Sequence, residues 1–95
     1  MKAIVNRVVY DTEKATLLAH DRYWDGSNWE RNGRNTFLYV GKNGRYFRHD
    51  ATLWQGERDT IMPLTQEEAM DLYESLPEHE VEFTEAFPGV PLEEA

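Results

Sequence analysis

The chain has 95 residues, of which 40% are hydrophobic and 13% aromatic, no cysteine, and a formal net charge of −8. That length closes one hydrophobic core and leaves nothing for a second, the aromatic content excludes a disordered polyelectrolyte, and the lack of cysteine excludes a disulfide framework or a thiolate metal site. The charge is unevenly placed: residues 1–56 hold nine Lys/Arg against six Asp/Glu, net +3, whereas residues 57–95 hold Arg58 against twelve Asp/Glu, net −11.

Lys2 to Tyr10 is rich in β-branched residues and reads as a strand turned or bulged at Asn6-Arg7. Asp11 and Thr12 are N-cap residues, so a single helical turn over Asp11 to Ala15 is expected before a second strand at Thr16 to Arg22. Trp24 to Arg34 carries two glycines and several Asn/Ser breakers and reads as a loop holding Trp29. Thr36 to Val40 and Arg45 to His49 flank Gly41-Lys-Asn-Gly44, a β-hairpin at 36–49 whose Asn43-Gly44 suits a two-residue type I′ turn. Pairing across that turn sets Val40 opposite Phe47 and Leu38 opposite His49. Leu38, Val40 and Phe47 would then face the core, with Tyr39, Tyr46 and Arg48 on the other side. Ala51 to Trp54 extends the hairpin, and Asp59 to Met62 is a last short strand before Pro63.

The spacing of Thr65 and Glu68 is that of a capping box, which opens a helix over 65–76 between Pro63 and Pro77. At 100° per residue Ala69, Leu72, Tyr73 and Leu76 share one side, and Glu67, Asp71 and Glu74 the other. Residues 79–87 fit either a strand, through the alternation of Val81 and Phe83, or a short helix, through Phe83, Ala86 and Phe87; the helix is the preferred reading. The expected fold is α+β: one domain over 1–91, a small curved antiparallel sheet of four or five strands packed by the helix and a short acidic C-terminal element, with 92–95 frayed. No apolar run is long enough for a signal peptide or a membrane span, which points to a cytoplasmic protein.

No motif for catalysis or a cofactor stands out. His20-Asp21, His49-Asp50 and His79-Glu80 are adjacent pairs that point to opposite faces of a strand and do not converge on a metal. Ser27 and Ser75 lack a nucleophile elbow, and Gly41 to Gly44 lacks the helix that follows a phosphate loop. A non-enzymatic binding protein without cofactor is therefore expected. Three surfaces are candidates for binding. The first is an acidic face of Glu67, Asp71, Glu74, Glu78, Glu80 and Glu82, more carboxylate than helix stability explains, since only Glu67 and Glu68 profit from the helix dipole and Glu67 with Asp71 is a like-charge pair. The second is the hairpin, where Arg45, Tyr46 and Arg48 could clamp single-stranded nucleic acid, although the net charge opposes phosphate binding. The third is the aromatic loop Tyr23 to Trp29, a partner-binding or sugar-gripping segment.

Tyr10-Asp-Thr-Glu-Lys-Ala15, Thr36-Phe-Leu-Tyr39, Gly44-Arg-Tyr-Phe47 and Ile61-Met-Pro-Leu-Thr-Gln-Glu-Glu-Ala69 together resemble a family of small, mostly uncharacterised phage and mobile-element proteins. The resemblance covers most of residues 4–76. It implies a short twisted sheet with a tyrosine-rich hairpin and a helix opened by a Pro-Leu-Thr-x-Glu-Glu-Ala motif. It departs at Asp71-Leu72, where a Trp is expected, and in the tail from Phe87 to Leu92. Small acidic proteins of such elements include anti-CRISPR inhibitors. The expectation is thus a cytoplasmic inhibitor in a bacterial host that offers its acidic face to a basic protein surface, a CRISPR-Cas effector being the candidate target. A nucleic-acid-binding accessory protein and a homodimeric interaction module are the alternatives.

Overall fold

Two hairpins with different turns organise the first half of the chain. The computed structural model describes residues 1–21, 34–52 and 56–94, with Arg34 described by its backbone only. The expectations for the Trp24–Trp29 loop, Trp54 and Arg22 lie outside these residues.

Strands β1 (Lys2–Val5) and β2 (Val8–Asp11) form a separate two-stranded ribbon. Asn6 and Arg7 have φ of 52° and 65°, and the Val5–Val8 pair closes around them. Both central residues are left-handed, which is the type I′ geometry that matches strand twist. Asn tolerates that region, whereas Arg7 carries the Cβ penalty. Asp11 then caps a single turn: its carboxylate accepts Glu13 N–H at 3.0 Å and its carbonyl accepts the N–H groups of Lys14 and Ala15. The expected turn over 11–15 is present.

Five strands form the main antiparallel sheet in the order β6-β5-β4-β3-β7, with β3 (Thr16–His20), β4 (Arg34–Val40), β5 (Tyr46–Thr52), β6 (Thr60–Leu64) and β7 (Glu78–His79). An irregularity between Leu17 and Ala19 in β3 places both Leu18 and Ala19 in the helix-side core. Pro63 is accommodated because β6 is an edge strand.

The β4–β5 hairpin differs from expectation by one residue of loop. Gly41 N–H donates to Arg45 O and Gly44 N–H to Gly41 O. Gly44 has φ +81° while Asn43 is not left-handed. This is a three-residue loop, a type I turn followed by a left-handed glycine. The register becomes Val40–Tyr46, Tyr39–Phe47 and Leu38–Arg48, so every side chain of β5 exchanges faces relative to the expected pairing. Tyr46 and Arg48 lie with Leu38 and Val40, and Phe47 lies with Tyr39.

Both faces of this sheet are covered, which is why the exchange costs no burial. On one side the α1 helix (Gln66–Ser75) packs Ala69, Tyr73 and Leu76 onto Leu18, Ala19 and Leu38. On the other, Phe47 is 1% exposed, with Tyr10 of the ribbon edge-on at 5.3 Å and Tyr39 stacked beside it. His20, Phe37 and His49 form a row across β3, β4 and β5, with ring centroids under 6 Å apart. Full burial of Phe47, Phe87, Leu18 and Leu38 contributes about 1.5–3 kcal/mol each.

The capping box is formed: Thr65 Oγ1 accepts Glu68 N–H at 3.1 Å, and Glu68 Oε1 accepts Thr65 N–H at 2.9 Å. Beyond Pro77 the chain adds the two-residue strand β7 to the edge of β3, then turns into α2 (Phe83–Ala86). The short helix is present at the end of the expected segment. Of the strand alternative only His79 is realised, in β7 with Glu78, because β3 offers an unpaired edge there, and Glu80 N–H also donates to Leu18 O.

Candidate functional site

The acidic face is built on α1. Glu67, Asp71 and Glu74 are exposed and occupy i, i+4 and i+7, about 10 Å of helix. None has an ion-pair or hydrogen-bond partner among the described residues, and the last turn of α1 holds no basic residue. Glu74 therefore sits unneutralised at the negative end of the helix dipole, where a carboxylate is disfavoured.

The carboxylates that follow are held against the same helix. Tyr73 projects from α1 on the buried side, and its hydroxyl donates to Val81 O at 2.7 Å. His79 stacks on the Tyr73 ring with centroids 3.9 Å apart, while its Nε2 donates to Tyr73 O at 2.8 Å. Phe83 and Phe87 meet the ring edge-on at 5.6 and 5.7 Å. Burial pushes the Tyr73 hydroxyl up from its ordinary pKa, and the negative charge of Glu82 pushes it further in the same direction. Glu78 and Glu82 stay exposed and unpaired among the described residues, whereas Glu80 accepts from His20 Nε2 at 3.2 Å. Residues 78–82 are thus fixed beside the C-terminal half of α1 through Tyr73.

A shallow groove of about 360 Å³ runs between α1 and strands β5 and β6. Leu64, Leu72 and Met62 provide its apolar lining, and Glu68 and Asp71 stand on its helix side. Met62 is 49% exposed. An apolar trough with carboxylates at its rim suits the stem and head of an incoming Arg or Lys. Arg48 also borders the groove, but its guanidinium is engaged by Asp50 through bonds of 3.1 and 2.8 Å.

Of the hairpin candidates, Arg45 and Tyr46 line one crevice together with Leu64 and Glu68, whereas Arg48 borders the groove beside α1. Tyr46 stacks on Phe87 at 5.1 Å and donates its hydroxyl to Ala86 O at 2.8 Å, so its ring is part of the helix-side packing. Arg48 is paired with Asp50. Arg45 alone of the three is exposed without an ion-pair partner among the described residues. The ring expected to stack on bases is half-buried, because the three-residue loop turns Tyr46 toward α2.

The histidines find partners distant in sequence: His20 meets Glu80, His49 meets Asp59 and His79 meets the Tyr73 carbonyl. No group of three or more His, Asp or Glu among the described residues is placed to hold a metal. No helix among them is long and apolar enough to cross a membrane. Sequence reasoning missed Tyr73 as the link between α1 and the acidic segment. Its helical spacing marked it as a core residue, and the return of residues 78–87 onto it has no local signal. The chain matches no protein-family model, and no curated protein or solved structure matches it, so no relative lends its function to this chain.

Proposed function

We propose that this protein is a non-enzymatic binding protein that presents Glu67, Asp71, Glu74, Glu78 and Glu82 to a basic surface of a nucleic-acid-handling protein and inhibits it by occupying that surface. One observation carries the reading: these five carboxylates are exposed and unpaired among the described residues, on elements held together by Tyr73. Solubility alone needs no fixed spacing. Carboxylates at fixed spacing raise the encounter rate with a basic partner and set its orientation, and the groove beside Asp71 offers a place for a basic side chain to anchor. The proposed target class follows from what such a surface imitates, the phosphates that a basic groove is made to hold, and a CRISPR-Cas effector is the candidate named by the resemblance.

The test is competition. Wild-type protein added to a purified candidate effector should displace its nucleic acid, and the combined variant Glu67→Lys, Asp71→Lys, Glu74→Lys should not, while melting within a few degrees of the wild type, because the helix-dipole loss at position 67 offsets the gain at position 74. Undiminished competition by that variant overturns the reading, as does failure of the wild type to compete with any basic nucleic-acid-binding protein of its host.

A further inference from the structure

The side of the molecule away from α1 carries the opposite charge. Lys2 begins β1, Lys14 lies in the turn after β2, and Lys42 lies in the β4–β5 loop, yet all three line one crevice of about 470 Å³. Pairing of Thr16 with Val40 brings the 11–15 turn beside the 41–43 loop, and pairing of Lys2 with Asp11 brings the start of the ribbon to the same end. Ala15 and Val9 add aliphatic surface, Val9 being 55% exposed, and the edges of Tyr10 and Phe47 close the base.

None of the three ammonium groups has an ion-pair partner among the described residues. Asp11 is the single carboxylate in the lining, and its Oδ1 already accepts Glu13 N–H. A chain of net charge −8 has carboxylate to spare, yet this lining holds three lysines against the one carboxylate of Asp11 and keeps a positive excess. The volume falls within the range of small-molecule sites, about 300–1,000 Å³. The acidic stripe of α1 lies on the helix side of the main sheet and the crevice on the side of Phe47, so an anion at the crevice is nearer to the lysines than to that stripe, and the nearer charges dominate its Coulomb energy.

We propose that this crevice binds a multiply charged phosphate ester with an apolar body, of the nucleoside-triphosphate class. The lysines act as point charges for the phosphates, and the body rests on Val9 and Ala15. This site is separate from the acidic face and does not depend on its function.

Isothermal titration with ATP, at physiological ionic strength and without divalent cations, tests it. One ATP should bind per chain, adenosine and inorganic triphosphate should bind more weakly, and Lys14→Gln with Lys42→Gln should lower the affinity at least about tenfold with the ligand-free melting temperature unchanged. Lys42→Arg, which keeps the charge, should retain binding. Absence of ATP binding overturns the proposal, and so does affinity unaltered in the double Gln variant. Inorganic triphosphate or a short oligonucleotide binding as tightly as ATP also overturns it, because the crevice would then be an unselective cationic patch.

Discussion

Asp59 ties the end of β5 to the start of β6. Its Oδ1 accepts Thr52 N–H and its Oδ2 faces His49 Nε2, both at 3.0 Å. The Thr52 N–H holds the Asp59 carboxyl below the usual carboxylate range, partial burial opposes that lowering, and His49 adds to it. A carboxyl whose pKa is lower folded than unfolded contributes stability above its unfolded value of about 3.9, and that contribution is lost as pH falls through the folded value. Asp59→Asn keeps an acceptor for Thr52 and removes the charge. The variant should therefore melt below the wild type at pH 7, and the gap should close as pH falls from about 5 to about 3. Thermal melts across that range decide the matter; a gap independent of pH would mean that the charge of Asp59 contributes nothing to folding.

Among the elements, the junction of α1 with residues 78–87 carries the most weight for the proposed function. Tyr73→Phe removes one part-buried hydrogen bond to the carbonyl of Val81 and leaves the ring contacts with His79, Phe83 and Phe87 in place. The expected cost is about 1 kcal/mol, a drop of roughly 4–8 °C for a domain of this size. Amide exchange should quicken over 78–82 and stay unchanged in β4 and β5. Unchanged exchange at 78–82 would show that β7 pairing alone holds the segment. The elements themselves were legible where the signal is local. The Thr65–Glu68 box, the Pro77 boundary, the Asp11 turn and the strand-rich hairpin needed no tertiary context, whereas Pro63, expected to follow the last strand, lies inside β6. The register of the hairpin was not legible, because Lys42-Asn43-Gly44 serves a two-residue or a three-residue loop with equal chemistry, and one residue moves Tyr46 to the helix side, where it packs half-buried against the core. Asn6-Arg7 was legible as a turn or bulge but not as a type I′ turn, since no glycine marks it. The acidic face of α1 followed from helical periodicity, whereas its extension through Tyr73 and the lysine crevice depend on segments that meet only in the folded chain.

At the scale of the whole molecule, the division of charge along the chain becomes a division between two sides of one sheet. The ribbon and hairpin loops place Lys2, Lys14 and Lys42 on one side, and α1 with β7 places the carboxylates on the other. Such a dipolar molecule orients itself in the field of a partner before contact. The last turn of α1 shows what the acidic side costs. A lysine at position 74 would complement the helix dipole, worth about 0.3–1 kcal/mol, and would sit three residues from Asp71, turning a repulsive pair into an attractive one. Glu74→Lys should therefore raise the melting temperature by a few degrees, with the gain shrinking as salt is added. If the carboxylate serves the proposed binding, the same variant should weaken the protein's hold on a basic partner through faster dissociation and slower association. The two readouts move in opposite directions only if Glu74 serves a partner at the expense of the fold. A variant that gains stability and binds as before would leave the acidic face as solvated charge, and a variant that loses both would place Glu74 in an interaction that the folded monomer needs.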